Sequence, residues 1–174
     1  MLIFLLEKKT QDCVLEVFEK LNLELGTELF NSTFQIILTD NGSEFTMPEA
    51  LESDCEGNKR TKVFYCDPLA SYQKAHLEKN HEFIRYVFPK GTSFDNIRAD
   101  IFKHLMDNIN SVYRGSLGNR TPYEVGRTVL DEQVYEVLDL IEIDPNEVIL
   151  KEELYYGLDQ VKMTLKKSLT MKDF

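Results

Sequence analysis

Short apolar runs alternate with helical apolar patterns in this chain, and the alternation limits the folds that are open to it. Residues 1–6 form an apolar run, and a strand is predicted over residues 1–7. Residues 11–25 have apolar side chains at helical spacing, after a candidate N-cap at Thr10 and before a stop at Gly26. Residues 34–39 are apolar and β-branched, which predicts a short buried strand.

The second part of the chain contains more helix. Residues 62–66 predict another short strand, and residues 71–87 predict a helix that ends before Pro89. Residues 95–113 place apolar side chains on one helical face, and residues 151–169 do the same in a predicted final helix. This order of strands and helices predicts an α/β layer domain with a parallel element.

Two shorter helices are predicted from their first residues. Residues 47–51 have a proline in their first turn. Thr121, Pro122 and Glu124 occupy the N-cap, first and third positions of a capping box, and we expect the helix that they begin to run toward Leu130.

Length and composition favour one soluble domain with an appendage. The 174 residues contain no run of 18 apolar residues, so no membrane-spanning segment is predicted. The apolar run at residues 1–6 is too short for the core of a signal peptide, and we expect a cytoplasmic protein. Cys13, Cys55 and Cys66 lack metal-site spacing and are expected to be free thiols.

Charge is distributed unevenly along the chain. The net charge of −10 argues against nucleic acid as a partner. Residues 56–130, however, carry 12 basic and 8 acidic side chains, whereas residues 1–55 carry 3 basic and 11 acidic ones. The basic excess of the middle segment either faces phosphate or is a chance variation in composition.

Two acids are candidates for one metal site. Asp40 follows the predicted strand at residues 34–39, where α/β sheets bind their ligands, although Asp-Asn-Gly is also a common turn. Glu78 and Glu82 lie one turn apart in the predicted helix, and the pattern alone does not choose between them. Two converging carboxylates could bind Mg²⁺ and support in-line displacement at phosphate.

The basic side chains near Glu78 have two interpretations. Lys79, Arg85 and Lys90 either contact phosphates or solvate the helix. A generic α/β binding domain is a further alternative, and it predicts that Asp40 and Glu78 lie more than roughly 10 Å apart, too far to share a two-metal site.

Four segments together resemble a known family. They are residues 40–45 (DNGSEF), residues 65–68 (YCDP), Glu78 with residues 84–85 (IR) and 88–92 (FPKGT), and residues 117–125 (LGNRTPYEV). In this order they resemble the insertion-sequence-thirty family of bacterial transposases, which are relatives of retroviral integrases. The resemblance covers residues 1–130, interpreted as a partial integrase-like catalytic core, and leaves residues 131–174 as an acidic C-terminal extension.

The resemblance implies a ribonuclease-H-like α/β fold and a site of two aspartates and one glutamate that binds Mg²⁺ or Mn²⁺. Asp40 matches the second aspartate and Glu78 the glutamate, which would make both of them catalytic metal ligands. Glu82 matches a non-catalytic position. Lys79, Arg85 and Lys90 match expected contacts to DNA.

The chain departs from this family at its start. Residues 1–6 match the third strand, so the first two strands, the first catalytic aspartate and a helix-turn-helix region are expected to be missing. We therefore expect an incomplete core with a C-terminal helical tail. Loss of a central strand would also leave open hydrogen-bonding edges.

Two functions follow from this resemblance. The parent activity would be metal-dependent cleavage and strand transfer at transposon ends into target DNA, with little or no activity in this chain. The alternative is a non-catalytic module that binds or inhibits full-length transposase, or a relic of an interrupted reading frame. A second copy of the chain or full-length transposase is the protein partner expected.

Overall fold

The computed structural model describes residues 1–67, 75–95 and 97–155, and the side chains of residues 75–78 are outside the description. The chain forms two compact units that are interleaved along the sequence. The sheet unit comprises Phe4–Ala75 and Val125–Ile141, and the helical unit comprises Met1–Ile3, His76–Glu124 and Glu142–Phe174. The boundary at residue 130, between a partial catalytic core and a C-terminal extension, stays a prediction.

The sheet unit begins with two helices. Helix α1 is Gln11–Leu25, and the side chain of Thr10 accepts a hydrogen bond from the Cys13 amide, as its predicted role as N-cap requires. The helix ends at Gly26, whose φ of 76° is a left-handed value that glycine adopts without a steric penalty. Helix α2 (Thr27–Thr33) follows directly.

Two strands form a small parallel sheet. Strand β1 is Ile36–Thr39 and strand β2 is Lys62–Tyr65, and Ile36 lies opposite Lys62 in a parallel register. Helix α3 (Pro48–Glu52) lies in the crossover between them, with Pro48 in its first turn as predicted. The parallel element predicted from the sequence is therefore present, whereas a ribonuclease-H-like fold stays a prediction.

The prediction that residues 34–39 form a buried strand is wrong about burial. The side chains of Ile36 (64% exposed), Leu38 (45%) and Phe64 (50%) project from one face of the sheet. Their register puts Leu38 directly opposite Phe64. The reason is that the described sheet has only these two strands, and the described residues leave this face partly exposed.

The predicted strand at residues 1–7 is absent from this described segment. Asn110 bonds the backbone of Met1 instead: its side-chain oxygen accepts from the Met1 amine (2.7 Å) and its amide donates to the Met1 carbonyl (2.8 Å). Burial, and then the charge of Arg114, lower the pKa of this amine to about 6. Met1 and Ile3 pack in the helical unit, while Phe4 and Leu5 are exposed, so no neighbouring strand pairs with the run.

The helical unit is built on helices α4 (Ala75–Val87) and α5 (Ala99–Asn110). Its core contains apolar side chains of both helices and of the segments that follow, namely Val87, Phe88, Ile97, Ile101, Phe102, Leu105, Ile109 and Leu154. Helix α4 ends before Pro89, as predicted, and residues 71–74 of the predicted helix are outside the description. Helix α5 is shorter at both ends than the predicted range of residues 95–113.

Two short helices complete the described chain. Helix α6 is Pro122–Gly126, and helix α7 is Glu132–Val137. The capping box is confirmed, but α6 ends at Gly126 and does not continue to Leu130. Most of the predicted C-terminal helix lies outside the described residues. Within the described part of the chain, no helix is long and apolar enough to cross a membrane.

Candidate functional site

Asp40 lies immediately after β1, at the carboxyl end of the parallel pair, and is exposed. The register places Thr39 opposite Tyr65, and the Cys66 amide donates to the Thr39 carbonyl over 2.8 Å. The backbone just before Asp40 is thereby held, because Thr39 is buried and bonded to the neighbouring strand. The sheet therefore presents Asp40 where α/β proteins place polar ligand-binding groups.

The loop after Asp40 is held by several contacts. The side chain of Thr46 donates to Gln11 at the first turn of α1 over 2.7 Å, and Lys9 lies 3.4 Å from the Glu44 carboxylate. The hydroxyl of Tyr65 donates to the Phe45 carbonyl. These contacts connect both strands and α1 to the loop, so the segment that carries Asp40 has a defined conformation.

A second aspartate follows the neighbouring strand. Asp67 comes two residues after β2, and because β1 and β2 are parallel, Asp40 and Asp67 leave the same end of the sheet. Both side chains are exposed, and both have interactions within the structure. Sequence reasoning did not select Asp67 as a site residue, although an acid directly after a short apolar strand was the signal that selected Asp40.

Glu78 lies in the first part of α4, and its side chain is outside the described structure. Asp40 belongs to the sheet unit and Glu78 to the helical unit. The predicted convergence of the two carboxylates stays a prediction. Among the residues with described side chains, no three His, Cys, Asp or Glu side chains lie close enough together to hold a metal ion.

The predicted DNA contacts lie on and just after α4. Lys79 makes an ion pair with Glu82 over 2.6 Å, and this hydrogen bond, with the charge of Glu82, raises the pKa of Lys79. Glu82, the alternative acid of the sequence analysis, thus compensates a neighbouring lysine. Arg85 and Lys90 are exposed, and neither has an ion pair within the described structure.

Sequence reasoning missed Arg114, which adds a further positive charge beside α4. Its guanidinium donates to the Asn80 side chain over 2.9 Å and lies 5.1 Å from the centre of the Phe83 ring. Desolvation lowers the pKa of this side chain. No signal within the sequence could have found it, because 34 residues separate it from Asn80.

The chain is similar to two curated proteins of mobile genetic elements. It is 28% identical over 96 residues to the transposase for insertion sequence element IS4351 of Bacteroides fragilis. The matched region covers 55% of this chain and 28% of that protein. It is 31% identical over 81 residues to the putative integrase ORF3 of Spiroplasma virus SpV1-R8A2 B. That match covers 47% of this chain and 24% of that protein.

The chain thus spans about a quarter of the length of each relative. No protein-family model matches the chain. No solved structure matches it either. The comparisons therefore relate about half of this chain to transposases and integrases.

Proposed function

We propose that this chain is part of a transposase of the insertion-sequence-thirty type, with an incomplete ribonuclease-H-like core. The observation that carries the proposal is Asp40 at the carboxyl end of a parallel strand, in a chain that is similar to a transposase and an integrase. In the parent enzyme this core would act in DNA cleavage and strand transfer. DNA, as transposon ends and target, is the substrate that we propose.

The candidate acids fit a hard divalent cation by their chemistry. Asp40 is an exposed carboxylate on a held backbone, and carboxylate oxygens are the ligands that Mg²⁺ prefers. Asp40 and Glu78 would hold Mg²⁺ or Mn²⁺, and the bound ions would supply charge stabilisation at the reacting phosphate. The family's site has two aspartates and one glutamate, of which Asp40 and Glu78 would supply two.

The exposed basic side chains have a separate role in this proposal. Lys79, Arg85 and Lys90 would contact the phosphate backbone and hold DNA against α4. Such contacts contribute affinity without sequence information, and their contribution falls as salt rises. Arg85 and Lys90 support this role because they are exposed and have no ion pair within the described residues, which leaves their charges available to phosphate.

DNA binding by the purified chain tests this role. We expect a fluorescein-labelled duplex to bind with a strong salt dependence, and the triple variant Lys79→Ala, Arg85→Ala, Lys90→Ala to bind about tenfold or more weakly at low salt. The control removes the same charge elsewhere, in Lys8→Ala, Lys20→Ala, Lys59→Ala, and should bind like the parent. Equal losses in both triple variants would contradict a specific role for the α4 side chains.

Cleavage assays test the catalytic part of the proposal. With Mg²⁺ or Mn²⁺ and supercoiled DNA that contains the element's ends, we expect little or no nicking by the 174-residue chain. The reason is that Asp40 and Glu78 would supply only two of the three acids that we expect such a site to need. Robust nicking that Asp40→Ala abolishes would show that the chain has a complete site.

A second candidate function is favoured by the exposed sheet face. Ile36, Leu38 and Phe64 present adjacent apolar side chains beside the outer edge of β1. Exposed apolar patches and open strand edges are typical of surfaces that another chain covers. A module that binds full-length transposase and inhibits it would use this face.

Substitutions on that face distinguish the second function from the first. The double variant Ile36→Thr, Leu38→Thr, which adds no charge, should lose binding to an immobilised full-length transposase that is related to this chain. It should keep the affinity of the purified chain for duplex DNA. Unchanged capture of the transposase by this variant would remove the support that the apolar face gives to the inhibitor function.

A further inference from the structure

The helical unit presents an aromatic side chain to solvent on α4, which also carries the exposed Arg85 and the ion pair between Lys79 and Glu82. Tyr86 lies in the last turn of α4, next to Arg85, and its side chain is 55% exposed. Its ring meets the Phe83 ring edge to face, with ring centres 6.1 Å apart and an angle of 77° between the ring planes. Such contacts favour defined ring orientations, so Phe83 restricts the position of the Tyr86 ring.

Phe83 itself is held from several sides. It is partly buried against the core of the helical unit. Two cations lie near its ring, with the Arg114 guanidinium 5.1 Å and the Lys79 ammonium 5.6 Å from the ring centre. Arg114 is fixed in turn by its hydrogen bond to Asn80. Phe83 and Tyr86 thus form an aromatic pair in which Phe83 is held by its neighbours and Tyr86 is largely exposed.

This combination has the chemistry of a surface for single-stranded nucleic acid. An exposed aromatic ring stacks on the face of a base, and neighbouring basic side chains bind the adjoining phosphates. In an intact duplex the base faces are covered by their neighbours, so only an unpaired base can use such a ring. Fully solvated lysines and arginines without an aromatic surface would not distinguish unpaired from paired DNA.

We propose that Tyr86 stacks on an unpaired base of DNA, with Arg85 at the adjoining phosphate. The chain would therefore bind a duplex with a single-stranded tail more tightly than a blunt duplex of the same sequence. This inference rests on the proposed role in DNA transactions and specifies the form of DNA that α4 binds.

Fluorescence of the DNA tests the stacking directly. The probe is a duplex with a short tail that contains 2-aminopurine, whose emission falls when it stacks on an aromatic ring. We expect the full chain to quench this emission, and Tyr86→Leu to bind the tailed duplex about tenfold more weakly with little quenching, in the range of one base–aromatic contact. Binding of Tyr86→Leu to the blunt duplex should change less than about twofold.

Two variants serve as controls. Tyr86→Phe keeps the ring and should retain both the affinity and the quenching of the parent. Tyr113→Leu removes another tyrosine of the same unit, which is 52% exposed and lies next to Arg114, and should leave tailed and blunt binding unchanged.

The outcomes separate this inference from the proposed function. If the parent chain binds tailed and blunt DNA, and Tyr86→Leu weakens both equally or neither, the stacking role is overturned while the transposase proposal stands. If the parent chain binds neither form at low salt, both proposals fall.

Discussion

Arg60 shows how a single charged side chain can be part of a core. It is fully buried in the sheet unit, where its guanidinium donates to the Leu51 carbonyl (2.9 Å) and the Ala50 carbonyl (3.3 Å). It also lies 2.9 Å from the Glu19 carboxylate and 5.6 Å from the centre of the Phe30 ring. The side chain thus joins α1, α2 and α3 through contacts that span the unit.

We predict that Arg60→Ala destabilises the protein by about 3 kcal/mol. The change removes a fully buried guanidinium that pairs with the partly exposed Glu19, and it leaves two carbonyls without a donor. Urea unfolding followed by circular dichroism measures the difference. Lys59→Ala is the matched control, since Lys59 is exposed and its ion pair with Glu52 is long, at 3.8 Å. Its expected effect is below about 0.5 kcal/mol. Similar decreases in the free energy of unfolding for the two variants would show that the buried contacts of Arg60 contribute no more to stability than an exposed ion pair does.

Asp54 organises the loop between α3 and β2. Its carboxylate accepts hydrogen bonds from the amides of Glu56 (3.0 Å) and Asn58 (2.8 Å) and from the Asn58 side chain (3.1 Å). Desolvation raises the pKa of Asp54, but these hydrogen bonds, with one from Thr27, outweigh it and lower the pKa below 3.8. The charged form is therefore the one that the fold favours.

The lowered pKa of Asp54 predicts how its effect depends on pH. Its contribution to stability is present above the unfolded pKa of 3.8 and is lost as pH falls through the lower folded pKa. Asp54→Ala should therefore lower the urea midpoint near pH 7, and the difference from the parent should shrink below about pH 4. A difference that stays constant over this range would contradict a contribution from the ionised carboxylate.

At the scale of elements, the capping box of α6 is the clearest case of local sequence control. The Thr121 amide donates to the Glu124 carboxylate (2.7 Å), and the Glu124 amide donates to the Thr121 hydroxyl (3.0 Å). Both bonds join residues three positions apart, so the sequence pattern contains the whole interaction.

Thr121→Ala should destabilise the protein by about 1 kcal/mol, the usual cost of losing a side-chain N-cap. The comparison is with Thr128→Ala, because Thr128 is exposed and its hydroxyl bonds only the nearby Val125 carbonyl. Thermal unfolding of both variants measures the effect. Equal melting temperatures for the two would mean that the cap contributes nothing to the folded state.

The two strands illustrate what an element's own sequence leaves open. Residues 36–39, within the run predicted as a strand, form one, and β-branched and apolar side chains of this kind fit a pleated sheet surface. Whether the side chains of this strand are buried depends on the strands and helices that cover the sheet, and here one face is open. The run at residues 1–6 is a stronger example, since Asn110, far along the chain, bonds the backbone of Met1.

At the scale of the whole molecule, the described chain has two separate apolar cores. Leu105 is central to one, in the helical unit, and Phe30 to the other, in the sheet unit, where it packs with Leu21, Leu25 and Val134. Both side chains are fully buried. Each core joins residues that are distant in sequence, because the two units are interleaved along the chain.

Hydrogen exchange followed by mass spectrometry should resolve the two cores. Leu105→Ala and Phe30→Ala should each lower the free energy of unfolding by about 3 kcal/mol, because each leaves a cavity in its core. Exchange should rise first in α4 and α5 for Leu105→Ala, and in α1, α2 and α7 for Phe30→Ala. Leu23→Ala is the control, since this side chain is largely exposed. Equal increases throughout the chain in both core variants would show that the cores open as one unit.

The sequence by itself determined the features that depend on neighbours within a few residues. These include both ends of α1, the end of α4 before Pro89, the first residue of α6 and the position of Asp40 after a short strand. Caps, prolines and backbone preferences act over one turn or one strand, so their signals are present in the local sequence.

Only the tertiary structure decided which residues are covered and what they contact. It divided the run at residues 1–6 between two units, buried Arg60, left Ile36 and Leu38 exposed, and brought Arg114 onto Phe83. The physical reason is that burial and side-chain pairing are properties of segments that meet after folding. The free energy of each contact depends on a partner that the local sequence does not contain.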